Sequence, residues 1–344
     1  MKTRTSCNCS GMGQRGAFTL VELMVVITIM VALAAITASA VLKFIGVQQT
    51  SNTQSTLDRV QSQLARAWSK VKDDAIRSPM TEPAYIPGTI PPQPAGVTVG
   101  SWIATNLASN ANNAADPNVK ERTRIIYVKL RLRQAFPMNF NEALYPAPLP
   151  QLSGYVTYLT NLGIAGSSAG SASIESSACL LMALQRGVSG AGIDPADLTS
   201  GGAAGSFPTP LPLPAGSLPY LNDAWSRPIF FTRVPAGSPL LNANPYPNGG
   251  QSGANDPGDP QGYLQAGGWA LYPNGTPTPQ AQLFVKLTQQ PLAAVSCSYK
   301  LAPLVASGGP SDWTNRGTIP TPASSFDPIT FAPVAGGDAL FSTP

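Results

Sequence analysis

The sequence predicts an α+β fold: one long N-terminal helix packed on a small antiparallel-sheet head with extra helices and long Pro/Gly-rich loops. Three observations lead there. All 35 prolines lie from Pro79 onward, and between Phe18 and Ser78 Gly46 is the sole glycine, so a nearly continuous helix is allowed. Beyond Pro79 the chain is punctuated by Gly and Pro. Helical periodicities come first there, and short aromatic or β-branched runs come later, which is the order of an α+β domain.

Composition narrows the function. With 344 residues the chain is long enough to bury a sizeable core, and its 11% charged content, against about 25% in ordinary soluble domains, argues against a solvated disordered chain. No histidine occurs anywhere, which removes the commonest general base and every site that needs an imidazole. Net charge is +4, but Lys2, Arg4 and Arg15 stand in the first 17 residues without an acid and leave only +1 for the rest. A nucleic-acid partner has no electrostatic footprint here.

The first element begins with an apolar run. Residues 23–42 read LMVVITIMVALAAITASAVL without a charge, matching the roughly 20 residues that cross a ~30 Å hydrocarbon layer. The basic residues precede this run and only Lys43 closely follows it, so residues 1–17 are expected to stay cytoplasmic and the bulk to be exported. A cleaved signal peptide is the competing reading, since Ala38-Ser39-Ala40 has the letters of a cleavage site. The apolar stretch is longer than the usual signal core, however, and Glu22 heads it. An ionisable residue in a membrane segment costs about 2.5–3.5 kcal/mol on insertion scales, so it calls for a counter-ion or a place in the headgroup layer.

Residues 15–26, Arg-Gly-Ala-Phe-Thr-Leu-Val-Glu-Leu-Met-Val-Val, resemble the class III leader junction of type IV pilins and of type II secretion pseudopilins. The resemblance implies cutting on the cytoplasmic face by a membrane aspartyl prepilin peptidase, with methylation of the new N-terminal Phe18. One departure is visible: Ala17 separates Gly16 from Phe18. A cut after Ala17 makes Glu22 the fifth mature residue, as the family expects, and a cut after Gly16 makes it the sixth. The resemblance further implies that Glu22 pairs with the amino group exposed by cleavage on a neighbouring copy and so sets the stagger of a helical filament. The implied partners are the prepilin peptidase, other pilin or pseudopilin subunits and an inner-membrane assembly platform. The implied location is the bacterial inner membrane, single pass, with the N-terminus cytoplasmic and the head outside. The division that follows is a leader at 1–17, a pilin helix at 18–78 and an exported head at 79–344. The helix would be transmembrane at about 20–42 and amphipathic at 47–78.

Beyond Gly46 the pattern becomes amphipathic. Leu57, Val60, Leu64, Trp68, Val71 and Ala75 follow steps of three or four, while Asp58, Arg59, Arg66, Lys70, Asp73 and Arg77 mostly lie elsewhere. A coiled coil would space residues similarly, but the stretch is short and ends at Ser78-Pro79. Residues 79–94 read as loop. Asp116-Pro117 then reads as an N-cap with Pro at the first helical position, opening a helix that ends before Pro137. Ile126, Val128, Leu130 and Leu132 alternate as in a strand, and the start signal favours the helix. Lys129, Arg131 and Arg133 read as snorkelling surface residues rather than a patch for anions. Residues 163–173 and 200–206, rich in Gly, Ala and Ser, read as flexible connections. Residues 175–186 read as a short buried helix with Gly187 as its C-cap. Strands are expected at 229–234, 268–272 and 283–287.

A second motif lies in the head. Asp223-Ala224-Trp225-Ser226-Arg227-Pro228-Ile229-Phe230 resembles the Asp-x-Trp-Gly-x-Pro-aromatic segment of the major pseudopilin, with Ser226 in place of the glycine and a head far longer than that family's. Trp225 is expected in the core and Pro228 in a turn. In that pseudopilin a loop beyond the motif binds calcium, and the corresponding stretch here holds Asn255, Asp256 and Asp259. Calcium takes six to eight oxygen ligands, so a polar turn is the expectation and no cofactor is required. Cys7 and Cys9 belong to the leader. Cys179 and Cys297 remain in the exported part, where a bridge closing a long loop would add about 4–5 kcal/mol and two buried thiols are the alternative.

The function expected is a structural filament subunit, not an enzyme. A minor or tip pilin with an adhesive or sugar-binding head is the alternative that the aromatic, Pro-rich residues 246–272 allow. A membrane-tethered enzyme such as a glycosidase would need a carboxylate pair, and no clustered pair stands out.

Overall fold

The computed structural model describes residues 20–87, 92–108, 117–166, 172–186, 204–206, 219–233, 259, 261, 263–264, 303–307 and 340–341. The chain divides into two units, Met1–Gln48 and Gln49–Pro344. Helix α1 (Leu20–Arg77) runs through 58 residues and belongs to both. Its length is what the lack of proline and the single glycine allow.

In the first unit the helix is apolar all round and solvent-facing. Its most apolar 18-residue window has a mean hydropathy of 2.6, and none of it is buried within the chain. This segment is long and apolar enough to cross a membrane. Both of its threonine hydroxyls are served inside the helix: Thr28 Oγ1 donates to the Met24 carbonyl and Thr37 Oγ1 to that of Leu33 at 3.0 Å. In hydrocarbon, where no water can take that role, such back-bonding removes the cost of an unmet hydroxyl.

In the second unit α1 turns amphipathic, and the apolar positions spaced by three and four are the ones it buries: Leu57, Val60, Leu64, Trp68, Val71 and Ala75. Asp58, Arg59, Arg66, Lys70, Asp73 and Arg77 all face solvent. Around this stripe the head assembles α2 (Val99–Ala108), α3 (Val119–Ala135), α4 (Phe140–Leu144), α5 (Ser153–Asn161) and α6 (Ala172–Arg186). Their apolar faces form one core with α1, in which Trp68 meets Phe136 at a ring-centroid distance of 5.2 Å.

Three small antiparallel sheets complete the described head. A hairpin pairs β1 (Pro83–Tyr85) with β2 (Pro94–Thr98), and β3 (Ala204–Ser206) pairs with β4 (Pro219–Leu221). In the third sheet β6 (Leu304–Ser307) lies between β5 (Phe230–Thr232) and β7 (Leu340–Phe341), with Phe231 opposite Val305 and Ala306 opposite Phe341. A long N-terminal apolar helix with small antiparallel sheets is thus the architecture, consistent with α+β.

Several expectations are corrected. Residues 79–94 are not all loop, because Pro83–Tyr85 forms a strand whose Tyr85 N–H donates to the Pro148 carbonyl at 2.9 Å. Residues 200–206 are not wholly a flexible connection, since Ala204–Ser206 is paired. Helix α3 is capped at Asn118 without a side-chain bond, and Asp116 lies outside the described residues. The strand expected at 229–234 is shorter, Phe230–Thr232, and those at 268–272 and 283–287 lie outside the described residues, as does Gly187.

The largest correction concerns α3. Lys129 and Arg133 are not snorkelling surface residues: they are 2% and 6% exposed, and Arg131 is half-buried with Nη1 donating to Gln134 Oε1 at 2.7 Å. The helix is covered by other elements on nearly every side, burying Ile125 to Leu130 without a break. That all-round burial is why its apolar residues also fit a strand-like alternation.

Candidate functional site

Glu22 stands in the first turn of α1 and is exposed, at the head of an apolar surface that includes Leu23, Val25, Ile29, Leu33 and Ile36. An acid in the first helical turn is favoured by the unpaired amide groups and the positive end of the helix dipole. The arrangement presents one carboxylate and an otherwise uncharged lipid-compatible face to whatever surrounds it. Gly16, Ala17 and Phe18 lie outside the described residues.

The second motif forms a closed turn between β4 and β5. Asp223 is buried, and its carboxylate organises the turn: Oδ1 accepts from the Trp225 and Arg227 N–H groups at 2.9 Å each, and Oδ2 accepts from Ser307 Oγ at 2.6 Å. The backbone closes with Asp223 N to Arg227 O at 2.8 Å, and Asn222 bridges Pro228. Pro228 stands outside the turn, in the bridge with Asn222 that flanks it, whereas Trp225 is only half-buried and Asp223 is the residue in the interior. Ser226 has φ 61°, in the left-handed region, at the position where the resembling motif carries glycine.

A buried ion cluster ties three elements together. Glu142 on α4 receives Arg233 Nη2 at 2.8 Å on both carboxylate oxygens and lies 3.5 Å from Arg133 Nε of α3. It also accepts from the Met138 N–H at 2.8 Å, while the Asn139 side chain caps α4 through the Glu142 N–H. Burial by itself would push the Glu142 carboxyl up, but Arg233, Arg133 and the Met138 N–H together hold it below the usual carboxylate range. Burial also weakens proton binding at Arg133, opposed by Glu142. Cys179 of α6 is a fully buried thiol pushed well up, first by burial and then by the nearby Glu175 and Glu142. Cys297 lies outside the described residues.

Two serines of α6 seat the sheet strands. Ser177 Oγ donates to the Leu221 carbonyl and accepts the Leu221 N–H, both at 2.9 Å, and Ser176 does the same to Phe231, whose N–H reaches it at 3.0 Å. One hydroxyl thus satisfies both backbone groups of one strand residue, twice over. At the far end of α1, the Tyr127 hydroxyl donates to Glu82 Oε1 at 2.7 Å and meets Ser78 Oγ at 2.9 Å, with burial pushing it up to about 12.

Of the residues considered for calcium, Asp259 is buried and both its oxygens are taken: Oδ1 by the Tyr263 N–H at 2.9 Å and Oδ2 by the Leu264 N–H at 2.7 Å. Asn255 and Asp256 lie outside the described residues, among which no group of three His, Cys, Asp or Glu is placed to hold a metal.

Sequence reasoning missed Glu142, Arg233, Ser176 and Ser177. Asn139 followed three residues later by Glu142 is a helix-start signal that was open to reading. The ion pair across 91 residues had no local signal. No family model matches the chain, no curated protein matches its sequence, and no solved structure matches its fold.

Proposed function

We propose that the chain is a structural subunit of a type IV pilus or type II secretion pseudopilus, cut from its leader by a prepilin peptidase and assembled through its N-terminal helix. The observation that carries this reading is one juxtaposition: the Arg-Gly-Ala-Phe-Thr-Leu-Val-Glu junction passes directly into a helix with no charge from Leu23 to Leu42. Glu22 is the one acid at its start, and pairing with the new amino group of Phe18 on an adjacent copy converts its insertion cost into a register. The leader stays cytoplasmic, the helix anchors in the inner membrane and the head is exported. The role is structural rather than enzymatic.

N-terminal sequencing and mass spectrometry of the mature protein test the reading. The expected product begins at methylated Phe18, and Glu22→Leu leaves the protein membrane-bound but absent from sheared filaments. A mature chain that begins beyond Ser39, or one that keeps residues 1–17, overturns it.

A further inference from the structure

Within the head, Gln49 and Thr53 of α1 both make polar contacts to the 223–227 turn. The Ala224 peptide is held between two side chains of the helix: its N–H donates to Thr53 Oγ1 at 3.1 Å, and its carbonyl accepts from Gln49 Nε2 at 3.4 Å. The turn that presents this peptide is firmly built, since the Asp223 carboxylate accepts three bonds of 2.9 Å or less and the strand ends close behind it. The helix side is different. Between Gln49 and Thr56 the buried residues of α1 are Thr53 and Thr56, and the first buried apolar side chain is Leu57. Thr56 spends its hydroxyl on the Asn52 carbonyl of its own helix at 3.0 Å. Serine, threonine and asparagine are also poor helix formers, and this stretch reads QTSNTQST.

From this contrast we infer that the 223–227 turn is a detachable clasp: rigid in itself, it holds the first two turns of α1 in the head through long polar bonds, and these turns open without loosening the core that starts at Leu57. Opening frees about two turns of α1 from the rest of the head, ~12 Å of helix at 1.5 Å per residue. The inference stands whether or not the chain forms filaments, because it rests only on contacts within the head.

Hydrogen exchange read by mass spectrometry on the full chain in detergent micelles tests it. In the unaltered protein, amides of 49–56 exchange at least about tenfold faster than those of 60–75, while 223–229 stays as protected as 60–75. Thr53→Val, which removes the acceptor of the Ala224 N–H at nearly constant volume, speeds exchange of 49–56 a further threefold to tenfold, about what one hydrogen bond contributes. It leaves 60–75 unchanged, and Thr53→Ser restores the original rate. Equal protection of 49–56 and 60–75 in the unaltered protein overturns the inference, a result that needs no variant to fold. So does a Thr53→Val effect spread evenly over 49–75, or none at all.

Discussion

The apolar side chains of α1 meet two different fates. From Leu20 to Val47 the large ones are exposed, most of them by more than half of their surface, whereas Leu57, Val60 and Leu64 are wholly buried. Propensity does not separate the two stretches, since both are helical. Distribution does: the first is apolar on every side and no single neighbour could cover it, while the second confines its apolar residues to one stripe that the head covers. An exposed apolar surface of that extent marks a membrane or protein contact. The first stretch is therefore built for surroundings outside its own chain, and the second for surroundings the chain itself supplies. Damage to the second should be read out as lost folding, and damage to the first as lost location.

The acids follow the same division, and the largest effect is expected where an acid depends on the chain. Glu22 is exposed, but Glu142 is enclosed with Arg133 and Arg233. Glu142→Gln leaves two buried guanidinium groups without their carboxylate, a change that typically costs about 3–5 kcal/mol. Denaturant unfolding of the head at pH 7 measures it. The pH dependence carries a sign. The Glu142 carboxyl is held below the usual range in the folded head, so its contribution is complete above the ordinary Glu value of about 4.3 and is lost as pH falls through the folded value. The gap between the unaltered protein and Glu142→Gln should be widest near neutrality and should narrow in acid. A gap that is constant with pH would show that the carboxylate is not what the cluster depends on.

A matched pair of leucines sharpens the contrast within α1. Leu64→Ala opens a cavity in the packed core and should cost about 2–5 kcal/mol of head stability. Leu33→Ala removes the same atoms from a side chain 58% exposed, and should leave head unfolding within about 0.5 kcal/mol of the original. Both are measured by denaturant titration of the full chain in the same detergent. A Leu33→Ala loss comparable with that of Leu64→Ala would erase the distinction between the two stretches.

How much of this was legible in the sequence depends on the range over which each feature is decided. The apolar run, the stripe from Leu57 to Ala75 and the buried helix at 175–186 are local patterns, and the chain reproduces them. Periodicity does not place Lys129 and Arg133, because it reports one covered face, and a helix covered all round offers no face to count. The Arg233 partner of Glu142 and the partners of Ser176 and Ser177 lie on β4, β5 or their ends, tens of residues away in the chain. Nothing nearby in sequence announces such a pairing. An aromatic in a motif points to the core, yet at this turn the interior holds the carboxylate of Asp223, which accepts the Trp225 and Arg227 N–H groups, and Trp225 is only half-buried.

The smallest effect expected has the opposite sign. Ser226 is exposed with φ 61°, a conformation that costs an L-residue about 1–2 kcal/mol relative to glycine. Ser226→Gly removes that cost and returns part of it, about 0.5–1 kcal/mol, through the greater freedom of glycine in the unfolded chain. The net gain should be under about 1 kcal/mol, which for a head of this size raises the melting temperature by about 1–3 °C. Because the turn is closed by Asp223 and not by the Ser226 side chain, the substitution should leave the Asp223 bonds intact, and the gain should come without any change in the packing of α1. A fall in melting temperature would mean that the Ser226 hydroxyl contributes more than its backbone costs. The departure from the Gly-bearing motif would then be a stabilising feature of this turn.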